Sequence, residues 1–281
     1  MRLGLLGYPL GHSLSPAMHT AALAAAGLSD WRYAALPTPP EHLAAAVAAL
    51  RAGDFAGVNV TVPHKEAVLP LLDALTPEAK AIGAVNTIVA QPAGGAVHLL
   101  GDNTDAAGLL ADLRACAVHL ERHRVLILGA GGAARAAVAA CLAGGAQVRV
   151  VARRRAQAEA LNQVGRVTHF PWTRLGLMQA AENCRLVINC TPLGMAPQVD
   201  ASPWLDSVAW PSRAFIYDLV YNPSETRFIH QARRAGLEAC TGLGMLVEQG
   251  ALAFELWTGQ TAPRAVMRAA AERALAAAPA P

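Results

Sequence analysis

The 281-residue sequence predicts two α/β domains, each built around a mostly parallel sheet, with C-terminal helices that pack back on the first domain. Short apolar runs alternate with helical patterns in both halves of the chain, which is typical of parallel α/β sheets. A glycine-rich turn joins one fully apolar run to a helical pattern in the second half, which is typical of a doubly wound sheet. An alanine- and leucine-rich tail from Gly244 to Ala277 predicts the C-terminal helices.

The first domain is assigned to residues 1–105 and is completed by the C-terminal segment 240–281. Its predicted strands are Leu3–Leu6, Trp31–Leu36, Gly57–Val62 and Asn86–Ala90, the last of which forms a hairpin with Val97–Leu100 across a turn at Pro92–Gly95. Helical patterns between these strands predict helices at Pro16–Ala26, Glu41–Arg51, Glu66–Ala74 and Pro77–Ala81.

The second domain is assigned to residues 106–239 and begins with a predicted helix at Gly108–Ala117. Its predicted strands are Val125–Leu128, Val148–Val151, Leu186–Asn189 and Phe215–Leu219, with a helix to Leu142 after the first strand and further helical pattern after the second. This order of elements is that of a Rossmann-like nucleotide-binding domain.

The turn after Val125–Leu128 predicts a dinucleotide site. Its residues are Gly129, Ala130, Gly131, Gly132, Ala133 and Ala134. Gly129 permits a tight turn, Gly131 lets the backbone approach a pyrophosphate, and the small Ala134 lets helix and strand pack closely. The helix N-terminus then offers free N–H groups and positive potential to the phosphates.

The end of the next strand predicts which dinucleotide binds. An NAD site has an acidic residue there, about 20 residues after the glycines, that bonds the ribose 2′-hydroxyl. This sequence has Arg153, Arg154 and Arg155 instead. Arginine holds a 2′-phosphate through charge-assisted, bidentate bonds, so we expect NADP as the cofactor.

Composition excludes several other classes of protein. Hydrophobic residues make up 54% of the chain, which argues against disorder. The net charge of +3 comes without a long basic block, which argues against a nucleic-acid partner. No apolar run is long enough to span a bilayer and the N-terminus does not resemble a signal peptide, so we expect a cytoplasmic protein without a membrane partner. The spacings of the five cysteines and nine histidines predict no metal site and a reducing compartment.

Several polar strings lie at the predicted ends of strands in the first domain, where ligands bind in open α/β sheets. They contain Ser13 and Ser15, Asn59 and Thr61, Lys65, Asn86, and Asp105. Ser15 before Pro16 is also a good helix N-cap, and Asp105 would alone be explained as the cap of the helix after it. Lys65 and Lys80 are the only lysines in the sequence, which otherwise uses arginine for its cations. A lysine in such a chain suggests a role that arginine cannot fill, because a lysine side chain can release its proton.

The ordered motifs of the sequence resemble those of the shikimate dehydrogenase family over essentially the whole chain. The motifs are Ser13-Leu14-Ser15-Pro16, Asn59-Val60-Thr61-Val62-Pro63-His64-Lys65, Gly83-Ala84-Val85-Asn86-Thr87, Asn103-Thr104-Asp105, Gly129–Ala134, Asn189-Cys190-Thr191-Pro192-Leu193-Gly194-Met195, Asp218-Leu219-Val220-Tyr221-Asn222-Pro223 with Thr226, and Gly242-Leu243-Gly244-Met245-Leu246 with Gln249.

The resemblance implies a reversible, NADPH-dependent reduction of 3-dehydroshikimate to shikimate, a step of chorismate and aromatic amino acid biosynthesis. It implies that Lys65 and Asp105 are the catalytic pair, with Lys65 as proton donor and acceptor. The implied substrate-binding residues are Ser13, Ser15, Asn59, Thr61, Lys65, Asn86, Asp105, Tyr221 and Gln249. The implied cofactor-binding residues are Gly129 to Ala134, Arg153, Arg154, Thr191, Met195, Leu219, Gly242 and Met245.

Two positions depart from the family pattern. The family often has Asn-Arg-Thr where this chain has Ala152-Arg153-Arg154, which leaves the phosphate contact of Arg153 in place and the neighbouring adenosine contacts open. The family often has Phe where His64 stands, and we expect this to change packing more than chemistry.

Three alternatives stay open at this point: a quinate or dual quinate/shikimate dehydrogenase with broader cofactor use, a noncatalytic ligand-binding homologue, and another NADP dehydrogenase of similar build. The Ser13 and Ser15 pair and the arginine cluster argue against the first, and the presence of both Lys65 and Asp105 argues against the second. The sequence fits either a monomer or a homodimer.

Overall fold

The computed structural model describes residues 1–11, 13–52 and 55–277 and divides them into two units. The first unit contains Met1–Gly108 and the described chain from Leu246 onward, and the second contains Leu109–Met245. The last residues of the predicted C-terminal segment, 278–281, lie outside the described residues. None of the described helices combines the length and apolar character needed to cross a membrane.

A six-stranded sheet forms the centre of the first unit. Its strands are β1 (Arg2–Gly7), β2 (Arg32–Pro37), β3 (Phe55–Val60), β4 (Ala74–Leu75), β5 (Thr87–Ala93) and β6 (Ala96–Asp102), in the spatial order β2-β1-β3-β5-β6-β4. β1 pairs in parallel with β2 and β3, and β4 with β6. β5 is antiparallel to both β3 and β6, and the short turn of the predicted hairpin joins it to β6.

Both faces of this sheet are covered. The helices of the unit are α1 (Ser15–Ala25), α2 (Leu43–Leu50), α3 (Pro77–Ile82), the start of α4 (Asp105–Ala115), α9 (Leu243–Thr258) from Leu246 and α10 (Arg264–Ala277). Leu5 of β1 packs in one apolar cluster with side chains of α1, α9 and α10, whereas Leu6 packs in a second cluster with side chains of α2 and α3. This alternation is what a strand buried on both faces requires.

The predicted helix Glu66–Ala74 is wrong. This segment forms turns and one short 3₁₀ turn at Leu69–Leu71, and Ala74 already belongs to β4. Pro70 has no N–H and disfavours helical backbone at the residue before it. Asp73 also draws the segment to the sheet, because its carboxylate accepts a hydrogen bond of 2.7 Å from the backbone N of Leu99.

The second unit has a fully parallel six-stranded sheet. Its strands are β7 (Arg124–Leu128), β8 (Gln147–Ala152), β9 (Thr168–Pro171), β10 (Cys184–Asn189), β11 (Phe215–Asp218) and β12 (Ala239–Thr241), in the order β12-β11-β10-β7-β8-β9. Counted along the chain, this is the 3-2-1-4-5-6 order of a doubly wound nucleotide-binding sheet. Its helices are the remainder of α4, α5 (Gly132–Ala143), α6 (Arg155–Ala160), α7 (Arg174–Ala181) and α8 (Arg227–Arg234).

The units and the C-terminal helices differ from the sequence prediction only in where they begin and end. The units change at Gly108 and at Met245, inside α4 and α9, whereas the predicted boundaries were 105 and 240, because each helix runs on without a break. The tail forms the predicted C-terminal helices, which are separated where Gly259 takes a positive φ of 67° after α9 and Pro263 precedes α10.

Candidate active site

Three neighbouring strands of the first unit bring the predicted substrate residues together. Asn59 lies near the end of β3, and its Cα pairs with that of Thr87 at the start of β5. Thr87 pairs in turn with Asp102 at the end of β6. Because β5 runs antiparallel to both neighbours, its first residues lie beside the last residues of β3 and β6. The polar ends of three strands therefore meet at one edge of the sheet.

Lys65 and Asp105 form a close ion pair at this edge. Lys65 Nζ lies 2.6 Å from Asp105 Oδ2, and the two side chains are 16% and 5% exposed. Lys65 stands in the turn that follows β3, where its carbonyl oxygen accepts a 2.8 Å bond from the backbone N of Val85. The ammonium group is therefore held close to its counter-charge and keeps limited access to solvent.

Asp105 does not cap the helix that it begins. Asn103 Oδ1 accepts hydrogen bonds from the backbone N–H groups of Asp105 (3.1 Å) and Ala106 (3.4 Å), so Asn103 takes the capping role. The Asn103 side-chain amide also donates to the carbonyl oxygen of Ala84 at 2.8 Å. The local explanation of Asp105 as a cap is thus wrong, and its carboxylate is available to Lys65 and Asn86.

Asn86 is the centre of the hydrogen-bond network around the ion pair. Three acceptors lie within hydrogen-bond distance of its Nδ2, whose two hydrogens they share: Asp105 Oδ1 (2.9 Å), Thr104 Oγ1 (2.9 Å) and Gln249 Oε1 (3.2 Å). Its Oδ1 accepts from the backbone N of Thr104 at 2.8 Å. Asn86 is 2% exposed, so these bonds form away from bulk water, where a lost partner is costly.

Asn59 extends the network into the core. Its Nδ2 lies 3.2 Å from the carbonyl oxygen of Asn86 and 3.3 Å from Thr87 Oγ1. Its Oδ1 accepts a 2.8 Å bond from the hydroxyl of Tyr33, whose ring stacks on the fully buried His19 at 4.3 Å between ring centroids. Neither Tyr33 nor the capping role of Asn103 was predicted from the sequence. Tyr33 is the one buried residue of the otherwise exposed or half-buried β2, so only the asparagine two residues before α4 left a signal in the sequence.

Three further predicted substrate residues lie in two segments: Ser13 and Ser15 at the start of α1, and Thr61 after β3. Ser13 Oγ accepts a 3.3 Å bond from the backbone N of Ser15. Ser15 is not the N-cap, because α1 begins at Ser15 and Leu14 holds the cap position without a side-chain bond. Thr61 is half-buried after β3. Among the described residues, no hydrogen bond joins these three side chains to Lys65 or Asp105, so their role toward a substrate stays a prediction.

The glycine-rich turn of the second unit has the geometry that a phosphate cradle needs. Gly129 has a φ of +116°, and a Cβ there would stand 3.1 Å from Thr191 Cγ2. Gly131 precedes α5 as its N-cap with no side-chain bond, and no described atom lies within 4 Å of a Cβ built on it. Ala134 is fully buried in the first turn. The residues therefore fit a dinucleotide, because the first N–H groups of α5 and the glycine backbone can approach its pyrophosphate.

The arginines after β8 differ in their partners. Arg155 Nε bonds Glu159 Oε1 at 2.7 Å within α6. Arg153 and Arg154 are exposed and form no ion pair with a described residue. Their guanidinium groups are thus available to an anionic ligand such as a 2′-phosphate.

The other predicted cofactor residues follow strands β10, β11 and β12. Thr191 is half-buried, Met195 is 42% exposed, and Leu219 directly follows β11. A Cβ on Gly242 would stand 2.8 Å from the carbonyl oxygen of Leu219, so only glycine fits this approach. Met245 is 7% exposed on α9. Tyr221 also belongs to this unit, and its role toward a substrate stays a prediction.

Comparisons with known proteins match both units. Residues 5–88 match a family model described as the shikimate dehydrogenase substrate binding domain, residues 242–272 one described as the shikimate 5′-dehydrogenase C-terminal domain, and residues 116–195 an NAD(P)-binding model. The chain is 44% identical over 281 residues to a shikimate dehydrogenase (NADP(+)) of Symbiobacterium thermophilum, covering 97% of this chain and 94% of the relative.

Two solved structures show how the fold is used in relatives. A shikimate 5-dehydrogenase of Thermus thermophilus, in complex with NADP(H) and shikimate, is 42% identical with a TM-score of 0.87, covering 98% of this chain and all of that one. A ligand-free 5-ketofructose reductase of Gluconobacter is 32% identical with a TM-score of 0.80, covering 97% of this chain and 98% of that one. Relatives of this fold and level of identity therefore include enzymes named for shikimate and for 5-ketofructose.

Proposed function

The chain belongs to the shikimate dehydrogenase family, and we propose that it reduces 3-dehydroshikimate to shikimate reversibly with NADPH. The observation that carries the proposal is the buried ion pair of Lys65 and Asp105, joined through Asn86 to Gln249. Relatives at 41–46% identity over nearly the whole chain carry the name shikimate dehydrogenase (NADP(+)). In metabolism this reaction is a step toward chorismate and the aromatic amino acids.

We assign the proton transfer to Lys65. Reduction of a ketone places negative charge on its oxygen, and an ammonium group within hydrogen-bond reach can neutralise that charge by giving up a proton. Asp105 orients the ammonium group by the 2.6 Å contact, and its other oxygen is fixed by Asn86. In the direction of shikimate oxidation, the neutral amine of Lys65 takes the hydroxyl proton. An arginine at this position could not act in this way because its guanidinium keeps its proton.

The cofactor-side residues hold NADP in this proposal. The N-terminus of α5 and the glycine-rich turn receive the pyrophosphate, and Arg153, assisted by Arg154, receives the 2′-phosphate. When bound, NADPH supplies the hydride that reduces the carbonyl carbon. The residues that follow β10, β11 and β12 hold the nicotinamide end.

A substrate panel tests the proposed function. Purified protein is mixed with shikimate or quinate, each with NADP⁺ or NAD⁺, and with 5-ketofructose and NADPH, while absorbance at the reduced-nicotinamide band is followed. We expect rapid reduction of NADP⁺ with shikimate. Lys65→Ala protein purified in the same way is the control for host enzymes. Faster turnover with quinate, NAD⁺ or 5-ketofructose would assign another substrate or cofactor, and no turnover with any pair would favour the noncatalytic homologue.

We further propose that the protein works in the cytoplasm as a monomer or homodimer. All five cysteines are free thiols in the structure, as a reducing compartment requires. Sedimentation at several protein concentrations, with and without NADP⁺, distinguishes the two oligomeric states.

A further inference from the structure

A buried carboxylate lies under the residues that we assign to the nicotinamide end of the cofactor. Asp218 is the last residue of β11 and is fully buried. We call the segments 190–195 after β10 and 219–221 after β11 the cofactor-side loops. Asp218 stands at the base of both loops and has no part in the mechanism proposed above.

Three donors from three elements converge on this carboxylate. Oδ1 accepts hydrogen bonds from Asn189 Nδ2 at 2.8 Å and from the backbone N of Val220 at 3.0 Å. Oδ2 accepts from the hydroxyl of Thr226 at 2.6 Å. Asn189 ends β10, Val220 lies in the loop after β11, and Thr226 is the N-cap of α8. Asp218 therefore joins two strand ends and a helix start through one side chain.

Asn189 carries the connection into both loops. Its Oδ1 accepts the backbone N–H (2.9 Å) and the hydroxyl (2.7 Å) of Thr191, and its carbonyl oxygen accepts the backbone N–H of Leu219 at 3.0 Å. Its Nδ2, besides the bond to Asp218, reaches the carbonyl oxygen of Leu193 at 3.3 Å. Because Asp218 fixes the Asn189 amide, it also fixes which way that amide faces Thr191.

The network retains a group that is costly to bury. Burial raises the pKa of Asp218 to about 6, although the bonds from Thr226, Val220 and Asn189 oppose that rise. A well-packed apolar side chain at such a site is often as stable as a buried charge, or more stable. The carboxylate of Asp218 is therefore better explained by the geometry that its three hydrogen bonds impose than by a gain in folding stability.

We propose that Asp218 is a positioning residue that holds the two cofactor-side loops in the geometry that binds the nicotinamide end of NADP. The inference rests on the proposed function, since that function assigns Thr191, Met195 and Leu219 to the cofactor. Asp218 acts through Asn189 and through the backbone of Val220, and it touches neither reactant.

The test compares two helix caps of the second unit. Thr226 caps α8 and also bonds Asp218, whereas Thr173 caps α7 through the backbone N of Gly176 at 3.1 Å. The variants are Thr226→Val, Thr226→Ser and Thr173→Val, together with Asp218→Ala and the conservative Asp218→Asn. Dissociation constants for NADP⁺ are measured by calorimetry without shikimate, and KM and kcat are measured where turnover occurs. Thermal unfolding shows which variants are folded.

We expect Thr226→Val to raise the Kd and KM for NADP⁺ about tenfold, as the loss of one buried hydrogen bond would, with little change in the KM for shikimate. Thr226→Ser restores the wild-type Kd. Asp218→Asn keeps most of the affinity, because its amide oxygen can accept from Asn189 and Val220 while its NH₂ donates to the Thr226 oxygen. Asp218→Ala, if it folds, loses at least as much affinity as Thr226→Val.

Thr173→Val lowers the unfolding temperature as any lost helix cap does and leaves NADP⁺ binding unchanged. Equal effects of Thr226→Val and Thr173→Val on the NADP⁺ Kd, or no effect of either, would overturn the proposal. The calorimetric readout needs no turnover. A wild-type protein that binds NADP⁺ and fails to oxidise shikimate would therefore reject the proposed function and still decide the role of Asp218.

Discussion

The candidate substrate side of the first unit and the candidate cofactor side of the second are built from different parts of the chain. On the substrate side, the side chains of Lys65, Asp105 and Asn86 bond one another, and the Asn59 side chain bonds the backbone carbonyl oxygen of Asn86. On the cofactor side, the phosphate cradle offers glycine backbone and a helix N-terminus, and Arg153 stands exposed. The first arrangement satisfies its polar groups within the protein, whereas the second presents groups whose partner must be the ligand.

This difference predicts how the two regions respond to substitution. A substitution in the substrate-side network leaves buried hydrogen-bond partners unsatisfied, so it also destabilises the neighbouring side chains. A change among the exposed cofactor-side arginines removes one ligand contact and little else. Asp218 is an exception on the cofactor side, because it supports the loops through a buried network of its own.

The largest effect is expected at the centre of the substrate side. Lys65→Ala should lower kcat by about 10²- to 10⁴-fold, because a proton donor of this kind contributes that much to turnover. The KM for NADP⁺ should stay near that of the wild type. Lys80→Ala removes the other lysine, which is exposed on α3, and is the matched control. Steady-state kinetics of both variants make the comparison, and near-normal turnover by Lys65→Ala would refute the role of Lys65.

The second effect concerns the buried charge on the cofactor side. Asp218 has an ordinary pKa of 3.8 and a folded-state pKa raised to about 6. The folded protein therefore holds this proton more tightly than the unfolded chain, so stability falls as the pH rises from about 4 to about 6 and does not recover above that. The difference corresponds to roughly 3 kcal/mol. The nearby Cys190 thiol stays protonated in this range, since burial, Cys141 and Asp218 all raise its pKa.

Asp218→Asn removes this titration. The unfolding temperature of the variant minus that of the wild type should therefore increase between about pH 4 and about pH 6 and stay level above that. Thermal unfolding across that range measures the difference. A difference that stays constant with pH would show that Asp218 carries no such cost.

The third effect compares Arg153, which we assign to the cofactor, with an arginine that is paired within the protein. Arg153→Ser should raise the KM for NADP⁺ by roughly 10- to 100-fold, the value of a charge-assisted bond to a phosphate, and leave the KM for NAD⁺ unchanged. Arg155→Ser is the matched control, because Arg155 is paired with Glu159. Titrations with each cofactor measure both KM values for both variants. An equal rise of the KM for NADP⁺ and for NAD⁺ in Arg153→Ser would exclude a 2′-phosphate contact at Arg153.

The smallest effect is expected next to the catalytic lysine. His64 is 1% exposed, and its Nε2 donates to the carbonyl oxygen of Thr38 at 2.6 Å. His64→Phe should cost about 1 kcal/mol of unfolding free energy, since it removes this bond, and should leave kcat unchanged. Chemical denaturation and kinetics test both parts. A large loss of kcat would show that His64 contributes to the chemistry and not only to packing.

The sequence indicates the cofactor side better than it indicates the substrate side, for a physical reason. The turn from Gly129 to Ala134 performs its role within six consecutive residues, so strand, turn and helix can be read together. The substrate network joins residues as far apart as Asn86 and Gln249. Motif resemblance named Asn86, Asp105 and Gln249 as substrate residues, which stays a prediction, and their hydrogen-bond partners depend on strand pairing that local pattern does not contain.

Three particular errors illustrate this limit. Asn103 and Asp105 are both good capping residues, and only the structure shows that Asn103 takes the cap and leaves Asp105 to Lys65. Edge strands β9 and β12 have four and three residues, too few for an alternating pattern to appear. The segment Glu66–Ala74 has helical periodicity, but Pro70 and the bond from Leu99 to Asp73 determine its course.

Calorimetric titration of shikimate into cofactor-free protein measures whether the first unit binds the substrate through its own side chains. If the substrate side is built by side chains of the first unit, wild-type protein should bind shikimate saturably without NADP⁺. Asn86→Ala, checked for folding by thermal unfolding, should bind at least about tenfold more weakly, because Asn86 joins Asp105, Thr104 and Gln249. No saturable binding before NADP⁺ is added, or equal affinity in the two proteins, would contradict the account.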